Sequence, residues 1–276
     1  MKSPFAVTAL WIAAMLAWSQ LPAAASELPA GIKASGVLRI AVTPNYPPLE
    51  FRDPATNELT GFDVDLAQAL ARKLGVKLEW QESTFVQMIP ALSTGRVDAI
   101  ISGMTDLKSR QDTSTFVDYL RSGPQFFVLA SRAAEFKDMP ALCGKSVGTS
   151  RRTAFPAEIA AWSDKHCGDN AIKVVGTEGS ADARTQLKQG RVDAGVQGNE
   201  TLPYVMSQEP NLYATVGAAF ADQYTGIALV KADSGLQTAI VDALDVLIAD
   251  GSYKALLDKW QLSSDPIEKA TINAGQ

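Results

Sequence analysis

Apolar positions recur along this chain in two rhythms, one of period two and one of period three to four, and glycine or proline separates the segments. Val37-Leu38-Arg39-Ile40-Ala41-Val42 is a short β-rich run stopped by Pro44 and the pair Pro47-Pro48, and it predicts a strand. After a polar turn from Asp53 to Thr60, Asp63 is placed to cap a helix whose apolar stripe is Leu66, Leu70 and Leu74, with Gly75 as its stop. Val76 to Trp80 alternates as a strand, and a second helix is expected from about Phe85 to Ser93, closed by Gly95. Strand and helix in alternation imply an α/β protein whose crossover helices cover both faces of a sheet.

One internal repeat organises the remainder. Leu92-Ser93-Thr94-Gly95-Arg96-Val97-Asp98-Ala99 returns as Leu187-Lys188-Gln189-Gly190-Arg191-Val192-Asp193-Ala194. Each copy reads as a helix end, a glycine cap and a strand start, so two similarly built lobes are expected. In an open α/β sheet a ligand sits beyond the carboxyl ends of the strands. Ser102-Gly103-Met104-Thr105 and Gln197-Gly198-Asn199, just past the two copies, are therefore expected to face one place. Between the copies lie a strand-like run, Gln125 to Ala130, and a polar connector from Ser131 to Pro140. Tyr224 to Val230 is again a strand, followed by a long amphipathic helix carrying Ala239, Ile240, Ala243, Leu244, Leu247 and Ile248. Gly251-Ser252-Tyr253-Lys254 then leads into Leu256, Leu257 and Trp260. Residues beyond Leu262 are polar and broken by proline, and are expected to be poorly ordered.

The start of the chain departs from this pattern. Lys2 is followed by an apolar stretch from Phe5 to Trp18, then Pro22 and Ala23-Ala24-Ala25-Ser26. The unbroken run falls short of the roughly 20 residues a spanning helix needs, and the small-residue exit reads as a signal peptide, residues 1–25, cut after Ala25. With 46% apolar and 20% charged residues in 276, the composition is globular and leaves chain enough for two compact units. Removing the signal takes away one of the 25 basic residues and none of the 30 acids, so the exported chain would carry a formal charge of −6. Nucleic acid is a poor partner for such a chain. Its two cysteines, Cys143 and Cys167, both lie in the exported part, where a disulfide can persist. Two buried free thiols are the alternative.

Gly61-Phe62-Asp63-Val64-Asp65-Leu66, with Leu70, Ala71 and Leu74 at the following offsets, resembles the signature of the family 3 bacterial extracellular solute-binding proteins, the polar amino-acid receptors of ABC importers. The likeness runs from about Val37 to about Leu262 and takes in the Tyr46-Pro47-Pro48 segment, both Gly-Arg-Val-Asp-Ala corners, Asp250-Gly251-Ser252-Tyr253 and Lys259-Trp260. It implies an α/β, two-lobed periplasmic-binding-protein fold of type II, each lobe a mixed sheet flanked by helices, with two hinge crossings. Lobe one would hold residues 26–124 and 225–276, and lobe two residues 125–224. The implied protein is a periplasmic monomer that captures a small amino acid or related carboxylate, passes it to a membrane ABC permease and needs no cofactor. The acids of the signature would cap and flank a helix rather than enter the site.

The resemblance also assigns site residues. Ser102, Gly103 and Thr105, followed by Arg110, are similar to the family stretch that holds a ligand's α-amino and α-carboxylate groups; the planar guanidinium of Arg suits a carboxylate. Tyr46 and Phe85 match positions whose bulky side chains sandwich the ligand. Thr153 matches a threonine that helps bind the carboxylate at a helix N-terminus, and Arg152 stands where glycine is usual, as a solvated side chain or an extra cation at the cleft. Gly198 occupies the position where the family commonly carries the aspartate that receives the ligand's α-ammonium. Either Glu200 substitutes for it or the ligand lacks a conventional α-amino group, since a buried ammonium without a counter-charge is costly. Thr43 stands where receptors for cationic amino acids often carry Asp, which argues against Arg, Lys or His as ligand.

Catalytic readings find little support. The single histidine, His166, lies in a polar run and can build neither a His-rich metal site nor a Ser-His-Asp triad with ease. The alternative is an exported enzyme resembling the cyclohexadienyl dehydratases, which share the scaffold and need a cleft carboxylic acid as proton donor; Glu178 or Glu200 would be cast in that role.

Overall fold

The computed structural model describes residues 28–275; the expected signal peptide lies outside the described residues. The chain opens with helix α1 (Ala30–Ser35), strand β1 (Val37–Val42) and three short strands, β2 (Asn45–Tyr46), β3 (Glu50–Arg52) and β4 (Leu59–Thr60). Helix α2 (Phe62–Leu74), β5 (Lys77–Glu82), α3 (Phe85–Ser93), β6 (Ala99–Ile100), α4 (Lys108–Gln111) and β7 (Ser114–Ser122) follow. A second group comprises β8 (Pro124–Leu129), β9 (Ser146–Ser150), α5 (Phe155–His166), β10 (Lys173–Thr177), α6 (Ser180–Lys188), β11 (Ala194–Gly198), α7 (Leu202–Gln208) and β12 (Tyr213–Val216). The chain then returns along β13 (Gln223–Val230), α8 (Ser234–Ala249), α9 (Ser252–Trp260) and β14 (Thr271–Ile272).

Two mixed sheets result, ordered β14-β7-β13-β6-β1-β5 and β10-β9-β11-β8-β12. In each, three parallel strands (β5-β1-β6 and β10-β9-β11) meet a longer antiparallel strand, β13 or β8. The chain leaves the first sheet at Ser122, enters the second at Pro124, and returns between Val216 and Gln223. The repeated pentapeptide explains part of this likeness. Asp98 accepts the backbone N–H of Arg39 on β1 (2.8 Å), and Asp193 accepts the backbone N–H of Ser146 on β9 (3.0 Å). In both lobes, then, the glycine ends a helix and the aspartate fastens the corner to the neighbouring parallel strand.

Each sheet is covered on both faces. Leu66 and Leu70 of α2, Ile240 and Leu244 of α8 and Leu257 of α9 bury against Leu38, Ile40, Ile227 and Leu229. Met88 and Leu92 of α3 cover Ala41, Ile100 and Phe116 on the opposite face. In the second lobe, Ile159 and Trp162 of α5 pack on Phe126, Val147 and Val196, and Leu187, Leu202 and Val205 pack on Phe127 and Val192. Each such side chain contributes about 1.5–3 kcal/mol by leaving water.

Two expectations fail. Asp63 does not cap α2: Gly61 holds the cap position, and Asp63 is fully buried with its carboxylate turned toward the loop after β6. The helix begins two residues earlier than the cap reading requires. The segment after Leu262 is also ordered, because β14 joins the edge of β7, with Thr271 opposite Asp118 and Ile272 opposite Val117. Its stability comes from edge hydrogen bonds and buried acids, which hydropathy does not register. The other signature acid, Asp65, accepts Trp260 Nε1 and Lys259 Nζ, both at 2.7 Å, and ties α9 to α2.

Cys143 and Cys167 form a disulfide across a sequence separation of 24 and pack beside the second-lobe core. His166 stacks on Trp162 at a ring separation of 4.8 Å, a packing role. Closing a loop of this size restricts the unfolded chain enough that replacing both cysteines by alanine is expected to cost about 3 kcal/mol of unfolding free energy in urea titration. A loss below about 1 kcal/mol would show that the bridge does not constrain the unfolded chain in this way.

Candidate functional site

A cavity of about 170 Å³ lies between the lobes. The first lobe lines it with Thr43, Asn45, Tyr46 and Glu50 after β1, Thr84 to Val86 after β5, and Ser102, Gly103, Thr105 and Arg110 after β6. Ser150 to Thr153 and Phe155 after β9, and Glu178 to Ser180 after β10, line it from the second lobe. All five segments follow parallel strands, where the carboxyl ends of the two sheets open toward each other.

Of the residues singled out in the sequence, Tyr46, Phe85, Ser102, Gly103, Thr105, Arg110, Arg152 and Thr153 come together around this cavity, and Gly198 does not line it. Asn45, Glu50, Thr84 and Glu178 to Ser180 join them as lining residues the sequence reading did not include, apart from Glu178 as a conceivable acid. The signal for the last three was strand β10, whose Lys173-Val174-Val175-Gly176-Thr177 run is short, broken by glycine and largely exposed. Recognising it would have placed the following residues at a strand end.

Arg110 is the dominant charge. Its Nη1 donates to the Thr105 carbonyl at 2.7 Å, and its guanidinium carbon lies 5.5 Å from the centre of the Phe85 ring. Among the described residues no carboxylate lies within ion-pair distance of it. Burial lowers its pKa to about 10, opposed by the negative charge of Asp106. The side chain remains a cation at neutral pH, desolvated and facing the cavity. Arg151, by contrast, pairs with Glu178 at 2.9 Å, and Arg152 is exposed at the cavity edge. The Thr153 hydroxyl donates to the Ser150 carbonyl at 2.9 Å and shapes the turn that leads into α5.

Beneath Ser102 and Gly103 lies a pair of buried acids. Asp63 accepts the Gly103 backbone N–H and the Tyr119 hydroxyl, each at 2.8 Å. Ser102 Oγ donates to Glu50 at 2.9 Å and accepts the Thr43 backbone N–H at 3.0 Å. Burial raises both acids, and the adjacent Asp63 raises Glu50 further; the donors on Asp63 limit it to about 6, while Glu50 rises well above the carboxylate range. Of the two, Glu50 is the acid pushed further toward its neutral form, and Asp63 is the acid that fixes the loop.

The position expected to carry an ammonium receptor is built differently. Tyr46 Oη accepts the Gly198 backbone N–H at 3.0 Å and lies 3.1 Å from Glu200 Oε1, so one lobe reaches the other through a tyrosine. The Glu200 carboxyl fills the space where a side chain on residue 198 would begin. It is 2% exposed and is not part of the cavity lining, so it replaces the missing side chain in space without presenting a charge to the cleft. Burial pushes its pKa up to about 8. Asn199, next to it, donates to Asp265 at 2.7 Å, a second contact between the lobes.

Two mixed sheets joined by paired crossings, with a charged cleft at their facing strand ends, define a two-lobed binding protein. Residues 38–263 match the bacterial extracellular solute-binding proteins, family 3, and the chain belongs to that family. It is similar to the histidine-binding periplasmic protein of Salmonella typhimurium, 29% identical over 91% of this chain and 95% of that one. Its fold resembles that of an ancestral arginine-binding protein bound to arginine, with a TM-score of 0.72 and 34% identity over 82% of this chain and 98% of that one. It also resembles an ancestral amino acid-binding protein described as a precursor of cyclohexadienyl dehydratase, with a TM-score of 0.74 and 30% identity over 83% and 97% of the two chains.

An acid whose pKa is raised by folding stabilises the fold while protonated, and that contribution is lost as pH rises through the folded value. Glu200 should thus lower stability between the ordinary glutamate pKa and its own value of about 8. Glu200→Gln keeps the shape and removes the titration, so the fall in Tm from pH 5 to pH 8.5 is expected to shrink by about 2 °C or more in thermal melts. An unchanged slope would show that Glu200 titrates as an exposed acid does.

Proposed function

We propose that this chain is a periplasmic receptor that closes on a small carboxylate-bearing solute, an amino acid or a close relative, and delivers it to a membrane ABC permease. Residues 1–25 serve as the signal peptide, and the lobes comprise residues 26–124 with 225–276, and 125–224, hinged at the two crossings. The observation that carries the reading is Arg110: a desolvated guanidinium lining the cleft, with no carboxylate partner of its own among the described residues. The ligand's carboxylate supplies the missing charge. Thr105, whose hydroxyl has no partner among the described residues, and the backbone of Ser102 and Gly103 bind beside it, with Tyr46 and Phe85 packing on the ligand body. Thr153 and Arg152 approach from the second lobe, and Gly198 acts indirectly by holding Tyr46. Because the ligand touches both lobes only when they are together, binding shifts the population toward closure.

The charge of the lining favours neutral or acidic solutes over cationic ones. Among the described residues Arg110 and Arg152 have no acidic partner, Arg151 and Glu178 neutralise each other, burial pushes Glu50 toward its neutral form, and Thr43 brings no acid. That preference differs from what the names of the relatives say of those proteins. We read the chain as a receptor rather than an enzyme, because the two acids the sequence offered as proton donors are compromised, Glu178 being tied to Arg151 and Glu200 lying behind Tyr46, and the third acid, Glu50, is buried beneath Ser102 and accepts that side chain's hydroxyl.

A thermal-shift panel of amino acids, keto acids and small dicarboxylates tests the ligand class, since binding to the native state raises Tm by mass action. Neutral or acidic members should give the largest shifts; the largest shift from arginine or lysine would overturn the charge argument. For the ligand so found, Arg110→Ala should weaken binding at least about a hundredfold in calorimetry, because one side of a buried charged pair is removed. A change below about threefold with the fold intact would defeat the assignment of Arg110.

A further inference from the structure

The polar segment 265–275 is packed against the back of the loop that carries Arg110. Gly275 N–H donates to Asp106 Oδ2 at 2.7 Å, and Gln111 Nε2 donates to Asp106 Oδ1 at 2.9 Å and to the Gly275 carbonyl at 3.2 Å. Ala274 N–H donates to Asp118 at 3.0 Å, and Asn273 exchanges two hydrogen bonds with the backbone of Phe116. Asp106, Gln111 and Asp118 are each less than a tenth exposed.

Asp106 precedes the short helix α4 that carries Arg110, and Arg110 Nη1 lies 2.7 Å from the Thr105 carbonyl, the group joined to the Asp106 amide, so the guanidinium sits beside Asp106. Asp106 is also the acid whose charge acts on Arg110, yet the two form no ion pair; both oxygens of Asp106 are occupied elsewhere. We propose that the segment 271–275 positions Asp106 away from Arg110, keeping the guanidinium available to a ligand carboxylate instead of a carboxylate of its own chain. The segment is a positioning element and touches no ligand. Gly275 suits the task because a side chain there would collide with the Asp106 backbone. The inference rests on reading Arg110 as the carboxylate receptor, but its test needs no ligand.

The test is the rate at which phenylglyoxal modifies Arg110, followed by peptide mass spectrometry on the full chain, on a chain ending at Ala270, and on Gly275→Leu, which keeps the rest of the segment. Released from Gly275, Asp106 should turn to Arg110 and slow its modification about threefold or more in both variants. Adding Asp106→Asn to either should restore the rate of the full chain. General loosening would have the opposite sign, since greater exposure of Arg110 speeds the reaction. Faster or unchanged modification, failure of Asp106→Asn to restore it, or an Arg110 that is unreactive in the full chain would each overturn the proposal.

Discussion

A carboxylate taken out of water must find its hydrogen bonds inside the protein, and the one on Asp63 finds them in two elements far from its own in sequence. It sits in the first turn of α2, accepts the Gly103 amide of the loop after β6 and the Tyr119 hydroxyl of β7, and shares its surroundings with Glu50 of β3. The binding loop inherits its position from this anion. Ser102 is then close enough to Glu50 and Thr43 to link the loop to the end of β1. Removing the carboxyl group would leave a buried amide and a buried hydroxyl without acceptors, at a cost of about 1–3 kcal/mol each. The acids of the Gly-Phe-Asp-Val-Asp signature therefore serve the site indirectly, Asp63 by holding the loop and Asp65 by holding α9.

On this frame the cleft keeps one strong charge unneutralised. Most ionic groups near it are spoken for: Arg151 by Glu178, Asp63 by its donors, and Glu50 by a burial that favours its neutral form. Arg110, the least exposed cation of the lining, lacks an anion among the described residues, and a site of that kind gains most from a ligand that brings one. The lobes also touch without any ligand group between them, through Tyr46 with Gly198 and Glu200, through Asn199 with Asp265, and through the rings of Phe51, Tyr204 and Trp260. Closure is thus a property of both the ligand contacts and these protein contacts.

The chain's local order was open to reading because it is written in short-range terms. Helix α3 runs from Phe85 to Ser93 as its apolar spacing and its closing glycine indicate, and the duplicated Gly-Arg-Val-Asp-Ala corners do mark equivalent joints in two mixed sheets. Eight lining residues could be named because the family resemblance points to them, and at Ser102, Gly103 and Thr105 a strand end does so as well. What escaped was decided by partners far away in the chain. The Asp63 carboxylate looked like a helix cap because capping is the local use of an aspartate at that place, while its actual donors lie 40 and 56 residues away. The segment after Leu262 looked disordered because its order depends on the exposed edge of β7 and on Asp106 and Asp118, none of them neighbours in sequence. Gly198 looked like a gap in a binding site that Glu200, two residues on, could fill; Glu200 does occupy the space, and it was the distant Tyr46, crossing from the other lobe, that left it behind the cleft. Sequence by itself determined the elements, their alternation, the duplication and the residue types at the strand ends, since these follow from periodicity and turn chemistry over a few residues. Tertiary structure alone decided which buried charges are satisfied and which one is left over, because the partner of a buried charge is fixed by proximity in space, and that proximity arises from the packing of sheets and lobes.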